Sequence, residues 1–271
     1  MKLFSKNLFL GASLLTLMSA AQPVFADESN DDDFEKFSIS LGVFFTDRES
    51  KSQLDGDLGE GSEVDLEGDL GLNRNDVVVR MDGYYRFNDR HRIDASVFDL
   101  SRSKTRVIDE EFEWGDTIYP INARINSEFD LAIYKLAYTW SFMRREKGYL
   151  GLTAGLYIAS FGASLREAQL GSVESDTVTA PLPVFGLRGE YALSDKWTFR
   201  ASGEIFAIEY EEYDGRLVDA YVGFDYQLWN RAALGIGLNS VTLDIGITRN
   251  KFKGNFDWRY DGGLLFVKFD F

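Results

Sequence analysis

From residue 37 onward the chain repeats one pattern, apolar and polar positions in strict alternation. Val77, Val79, Met81 and Tyr85 share one face of an extended segment, and Val78, Arg80, Asp82, Tyr84 and Arg86 share the other. Ala132, Tyr134, Leu136, Tyr138 and Trp140 oppose Lys135 and Thr139 in the same way. So do Phe185, Leu187 and Tyr191 against Arg188 and Glu190, and Val222, Phe224 and Tyr226 against Asp219 and Asp225. A period of two is the mark of a β-strand with unlike faces. The longest uncharged run after residue 26, Gly148 to Leu165, approaches the length of a membrane-crossing helix. It too alternates, Leu150, Leu152, Ala154, Leu156 and Ile158 against Gly151, Thr153, Gly155, Tyr157 and Ala159, which predicts a strand.

Ten segments carry the period: 37–46, 72–87, 91–102, 127–142, 148–163, 178–193, 197–209, 217–228, 231–248 and 256–271. A soluble β-sandwich has the same alternation, with its apolar faces meeting inside, so the pattern alone leaves both architectures open. The links separate them. Those near 88–90, 143–147, 194–196 and 229–230 are short, those near 47–71, 103–126 and 164–177 are long, and the two at 210–216 and 249–255 are modest. Short turns at one end and longer loops at the other fit an up-and-down barrel that crosses a membrane. The predicted fold is all-β, a closed antiparallel up-and-down transmembrane β-barrel of about ten strands, with eight to twelve in range. One segment breaks phase: Leu234, Ile236 and Leu238 are out of step with Val241, Leu243 and Ile245. A β-bulge at Asn239–Ser240 would account for the switch.

Aromatics gather at predicted strand ends. Tyr85, Phe87, Trp140, Phe142, Tyr149, Tyr191, Trp197 and Trp229 flank the short turns; Phe44, Phe45, Phe161, Tyr210, Phe256 and Trp258 lie toward the long loops. Two girdles at two membrane interfaces are expected from this grouping. The last strand sets Leu265, Val267, Phe269 and Phe271 on one face and ends the chain on Phe271. Here the sequence resembles the bacterial outer-membrane β-barrel proteins as a class. The resemblance implies that Phe269 and Phe271 form the signal read by the barrel-assembly machinery of a Gram-negative envelope. It also implies that the surroundings are outer-membrane lipid and lipopolysaccharide.

The start of the chain fits that destination. Lys2 and Lys6, the apolar run Leu8–Met18 and the small residues before Ala26 read as a signal peptide over 1–26, cleaved near Ala26. Residues 27–36, rich in Asp and Glu, read as an acidic, disordered periplasmic tail, leaving 37–271 as the barrel. There is no cysteine, hence no disulfide framework. The net charge is −15, and the first 26 residues carry only lysines, so the remainder of the chain is more acidic still. Such a chain is excluded as a nucleic-acid binder.

The polar strand faces predict a charged lumen of Arg80, Asp82, Arg86, Asp94, Lys135, Arg188, Glu190, Arg200, Glu204, Asp219, Asp225 and Lys268. Ten strands lie near the size at which side chains fill the interior. A structural ion-pair network and a narrow, porin-like path for a small solute both remain open. The first long loop, 47–70, is strongly acidic. It contains a near-repeat, Leu54-Asp55-Gly56-Asp57-Leu58-Gly59 and Leu66-Glu67-Gly68-Asp69-Leu70-Gly71, the second copy of which leads toward the next strand. Carboxylates among glycines are Ca²⁺ chemistry, making a divalent cation the candidate partner of this loop. The spacing departs from the twelve-residue calcium loop and favours a solvated acidic loop. The single histidine, His91, falls at a short turn with no nucleophile turn of the Gly-x-Ser-x-Gly kind in the chain. No catalytic, cofactor or metal residue is assigned, and a non-enzymatic barrel is expected. A lipid- or peptide-modifying enzyme of the outer leaflet and a soluble periplasmic β-protein are the alternatives.

Overall fold

The computed structural model describes residues 35–55, 61–114, 117–167, 173–210, 213–249 and 252–271. The signal segment 1–26, most of the acidic tail and the centre of the first acidic repeat lie outside the described residues. All regular structure among those described is β. Ten long strands follow in chain order: β1 (Phe37–Leu54), β3 (Asn75–Arg86), β4 (His91–Val107), β7 (Arg124–Arg145), β8 (Gly148–Glu167), β9 (Val173–Ala192), β10 (Trp197–Tyr210), β11 (Tyr213–Trp229), β12 (Ala232–Arg249) and β13 (Phe252–Asp270). Three short strands, β2 (Glu63–Asp65), β5 (Phe112–Trp114) and β6 (Thr117–Tyr119), belong to the first two long loops. Each long strand pairs antiparallel with its neighbours in sequence. β13 returns to β1 through a register running from Ser38↔Asp270 to Leu54↔Gly254. The sheet is therefore closed, with no free edge.

Along β1, β7, β12 and β13 the polarity of the two faces inverts. Near the short turns, β7 points Tyr134, Leu136, Tyr138 and Trp140 outward and Lys135, Thr139 and Ser141 inward. Toward the long loops the same strand points Glu128 and Asp130 outward and buries Ile125, Phe129 and Leu131. β1 changes from Leu41 and Phe45 outside to Asp47, Glu49 and Lys51, and β13 from Phe269, Val267 and Leu265 to Arg259 and Asp257. The barrel thus has an apolar belt wet by lipid, about nine residues tall on β1, and above it a section built like a soluble protein. Every backbone donor and acceptor within hydrocarbon needs a partner, and the closed ladder supplies it.

This inversion revises several sequence expectations. The strands run past their predicted ends at the loop side: β1 to Leu54, β4 to Val107, β7 from Arg124, β8 to Glu167 and β13 from Phe252. The reason is that a charged outer face no longer signals a loop once the strand has left the membrane. There is no bulge at Asn239–Ser240. Both residues pair in unbroken register with Tyr221 and Ala220 on one side and Gly262 and Asp261 on the other. Leu234, Ile236 and Leu238 face lipid, whereas Val241, Leu243 and Ile245 face the interior, so the apolar face changes sides while the strand stays regular. Register shifts occur instead at Trp140/Met143 and Gln227/Trp229, beside short turns. The girdle at the short-turn end holds Tyr85, Phe87, Trp140, Phe142, Tyr191, Trp197 and Trp229, all exposed, but Tyr149 points inward. At the far interface only Phe45 faces out among the described aromatics named for it. Phe44 and Trp258 are buried and Phe161 and Phe256 pack against the same core, while the side chain of Tyr210 lies outside the described set.

The two halves of β7 make opposite predictions for one substitution. Leu136→Arg, near the middle of the lipid belt, is expected to cost about 2–4 kcal/mol in urea titrations of folding into lipid vesicles. Asp130→Arg, six residues away on the same face, should stay within about 0.5 kcal/mol. Equal effects at the two sites would contradict the inversion.

Candidate functional site

Inside the lipid belt the interior is polar, and its charges come largely in pairs two residues apart on one strand. Arg80/Asp82, Arg92/Asp94, Arg188/Glu190 and Lys268/Asp270 each share a face because side chains alternate. Arg80 meets Asp82 at 3.0 Å, Arg92 meets Asp94 at 2.7 Å and Lys268 meets Asp270 at 2.8 Å. Arg188 bonds instead outside its own strand, at 3.7 Å from Asp94 and 3.8 Å from Glu204. Glu190 takes Arg92 at 2.9 Å and Arg86 at 3.3 Å, and the Tyr149 hydroxyl donates to it at 2.9 Å. Arg200 meets Asp225 at 2.8 Å.

A second cluster lies higher in the lumen. Lys135 on β7 reaches across to Glu204 on β10, with Asp219 at 3.7 Å. The Tyr157 hydroxyl sits between the same two carboxylates, 3.1 Å from Glu204. Asn239 donates to Asp219 at 2.7 Å and accepts from Arg80 at 2.6 Å, tying β12 to β3. The structure thus brings all twelve sequence-selected lumen residues into one interior network. It adds Arg92, Asp270, Tyr149 and Asn239, which sequence reasoning missed, and Tyr84, Thr139 and Tyr157, which the alternation placed on the polar faces without singling them out. Arg92 and Asp270 were findable, being two residues from Asp94 and Lys268 on the same face. Tyr149 reads as a girdle residue because it sits beside a short turn, although its parity matches that of inward-facing Thr153 and Tyr157.

Among the described residues, seven cations (Arg80, Arg86, Arg92, Lys135, Arg188, Arg200, Lys268) face seven carboxylates (Asp82, Asp94, Glu190, Glu204, Asp219, Asp225, Asp270), so the lumen is formally neutral inside its short-turn mouth, where half-exposed Glu35 lies 3.8 Å from Lys268. The space left among them is about 100 Å³, bordered by Ser38, Ser40, Ser96 and Ser202. That admits a few waters. Directly above, Phe98 stacks on Tyr260 at 5.5 Å and Phe44 tilts against the same ring at 4.6 Å, and together they close the interior with rings. Two close approaches demand glycine: a Cβ at Gly262 would run into the backbone carbonyl of Phe45, and one at Gly186 into that of Gly203.

The acidic loop is a plug, which corrects its reading as a solvated loop leading into the next strand. Leu66, Leu70 and Leu72 are buried among barrel residues. Asp65 accepts from the backbone of Glu67 at 3.0 Å and Gly68 at 2.8 Å, and Gly71 adopts φ +69°, which together turn the chain inward. Glu67 takes the backbone N–H and hydroxyl of Ser50 at 2.8 and 3.0 Å and pairs with buried Arg102. Ser62 donates its backbone N–H to Glu113 at 3.0 Å, joining this loop to the β5–β6 hairpin. Lys51 bonds Glu63 at 2.8 Å, which raises the lysine above its ordinary range. Beneath the plug, Arg48 is fully buried and its pKa falls, through desolvation first and then the nearby Arg102. Among the described residues no three acidic or histidine side chains gather in a way that could hold a metal ion.

His91 lies at the short-turn end of β4, where Nδ1 meets the Tyr138 hydroxyl. Phe269 and Phe271 face lipid on the closing strand. The Phe271 carbonyl accepts the backbone N–H groups of Lys36 and Phe37 at 3.0 Å each, sealing the β1–β13 seam.

No family model matches the chain, and no curated protein does. Among solved structures it is similar to the outer membrane protease OmpT from Escherichia coli, with a TM-score of 0.60 and 10% identity over 90% of this chain and 99% of that one. Weaker likenesses, with TM-scores of 0.36 and 0.33, are to the toluene transporter TodX of P. putida (8% identity, 90% of this chain, 91% of that one) and the attachment invasion locus protein Ail of Yersinia pestis (12% identity, 85% and 99%). At these identities what is shared is the fold. The chain is a closed ten-stranded transmembrane β-barrel of the architecture seen in bacterial outer-membrane proteins.

Removing one member of the upper lumen cluster should be costly. Lys135→Met leaves Glu204 and Asp219 short of a cation in a buried site, and a loss of about 3–5 kcal/mol is expected. It would appear as a lower midpoint of heat-modifiable gel mobility. Adding Glu204→Gln to that variant should restore most of the loss. A single variant as stable as the parent would show that the cluster is not coupled.

Proposed function

We propose that the protein is a non-enzymatic barrel of the bacterial outer membrane, closed to solutes, whose loop-side end is a preformed binding head. The observation that carries this reading is the filled interior: a neutral ion-pair network, an aromatic layer and an inserted plug stacked along one axis. A diffusion pore needs a continuous wet path, and a selective one usually carries an excess of one sign. Neither feature is favoured by seven charges balanced against seven and about 100 Å³ of space.

Further features support the location. The export signal over 1–26, the lipid-facing belt and the terminal Phe269 and Phe271 suit insertion by the assembly machinery into lipid and lipopolysaccharide. In this orientation the short turns lie in the periplasm and the plug faces outside. Its exposed carboxylates suit loosely held divalent cations shared with lipopolysaccharide phosphates.

The test is conductance in a planar bilayer. The purified barrel should give no steady single-channel current, and a variant lacking 62–72 should at most flicker, because the charged layer stays in place. A stable current from the intact protein would replace this reading with the narrow-channel one. A lipid- or peptide-cleaving activity abolished by His91→Ala or Asp65→Asn would replace it with the enzyme reading.

A further inference from the structure

The lipid-facing surface is uneven. Toward the short turns, an open groove of about 430 Å³ lies on β8, β9 and β10. Leu150, Leu187 and Phe199 wall it, and Gly189, Ala201 and Gly203 leave its floor low. Gly189 pairs directly with Ala201, and Gly203 with Leu187, so the small residues adjoin across two strands. A Cβ at Gly203 would stand in open space. Tyr149, Arg188, Glu190 and Ser202 also border the groove, but they belong to the lumen face. The side chains of the first three are bonded there, Tyr149 to Glu190, Arg188 near Asp94, and Glu190 to Arg92. The outer lining is apolar except at one end, where Met143 leads into Arg145 on the β7–β8 turn.

The charge at that end opposes the charge of the chain. The whole sequence carries −15, yet the short turns hold Arg90, Arg144, Arg145, Lys147, Lys196 and Arg231 against Asp89, Glu146 and Asp195. All nine are exposed. Arg144 donates to the Asp89 carbonyl, but the side chains of Arg145 and Lys147 meet no acid among the described residues. Within a bilayer an acyl chain must lie in such a groove, because a void forfeits dispersion contacts. Which lipid lies there is decided by the headgroup above it. A guanidinium takes phosphate oxygens in pairs, and a cationic rim favours an anionic lipid. The acidic stretch 27–33 matches the charge but has no apolar side chain for the groove. A two-fold partner copy would set two cationic rims together. We propose that the groove binds an anionic diacyl phospholipid, of the phosphatidylglycerol class, with one acyl chain along Gly189, Ala201 and Gly203 and its phosphate on Arg145, Lys147 adding charge beside it. That this is the periplasmic leaflet rests on the orientation given under the proposed function; the site itself does not.

The test is native mass spectrometry of the full protein in detergent, titrated with phosphatidylglycerol and with phosphatidylcholine of identical chains. One retained phosphatidylglycerol per barrel is expected, held about fivefold or more tighter than phosphatidylcholine. Arg145→Gln should weaken phosphatidylglycerol about fivefold, the size of one charge at a membrane surface, and leave phosphatidylcholine unchanged. Gly203→Leu, which fills the groove, should weaken both lipids while heat-modifiable mobility reports a folded barrel. If that variant does not fold, Ala201→Leu fills the same floor and should do the same. Glycerol phosphate, a headgroup without chains, should not displace the lipid. The proposal is overturned by equal retention of the two lipids in the intact protein, or by unchanged preference in Arg145→Gln. It is also overturned by unchanged retention in a folded groove-filling variant, by displacement with glycerol phosphate, or by a dimer that forms with no lipid in its mass. Orientation is measured separately, by labelling Lys196→Cys on intact cells with a membrane-impermeant thiol reagent. Reaction there would overturn the orientation and leave the lipid site standing, so the two failures are told apart.

Discussion

A strand immersed in hydrocarbon has no water to bond, so each N–H and C=O must find a partner on another strand. That requirement makes the β1–β13 seam the condition for everything else in the molecule. The seam is long, from Ser38↔Asp270 to Leu54↔Gly254, and its lower end is locked by the Phe271 carbonyl. Closure fixes which face of each strand meets lipid, and so hands the interior to whatever residues remain. In the belt those residues are charged, because the apolar ones have been placed outside. Above the belt, where water returns, the ordinary arrangement resumes and the same strands bury Leu131, Leu243 and Trp258 against one another.

The molecule therefore has two stabilising regimes in one sheet. The upper section gains from apolar burial in the usual way, and the two long loops enlarge it, the plug adding Val64, Leu66 and Leu70 to the core and the β5–β6 hairpin adding Trp114. The lower section gains little from its interior, because buried ion pairs roughly break even against apolar packing. Its stability lies in the lipid contact and the ladder. Loss of plug contacts should thus loosen the head without opening the belt, since the two sections share strands but not the forces that hold them.

The same division decides what could be read from the sequence. Within the belt, alternation reports strand, face and lumen membership together, which is why Arg80, Lys135, Arg188 and Asp219 were identifiable by parity alone. Beyond the belt the code reverses. Val241, Leu243 and Ile245 look like a phase error after Leu234, Ile236 and Leu238, and the simplest account of a phase error is a bulge. Phe256 and Trp258 look like an interfacial girdle for the same reason, though both turn inward. The plug was hidden differently: the carboxylates of residues 63–69 mask three leucines, and only the tertiary fold reveals that the leucines go down with Glu67, which meets buried Arg102, while the other acids stay up. On β1, β7, β12 and β13 the point where the two faces exchange polarity marks the membrane boundary, and both corrections lie on its far side.

The interior charges also bear on register, and this gives the network a role that its modest energy would not suggest. An odd slip between two strands turns lipid-facing residues inward and is forbidden by alternation. An even slip preserves alternation, so the belt alone tolerates it. The ion pairs do not. Arg200 meets Asp225 diagonally across the β10–β11 pair, and Lys135, Arg80 and Arg92 reach to strands that are not their neighbours. A shift of two residues would carry each of these groups nearly 7 Å along the barrel, far enough to leave buried charges alone. Lipid contact sets the faces, the ladder sets the neighbours, and the neutral lumen selects one alignment from those that remain.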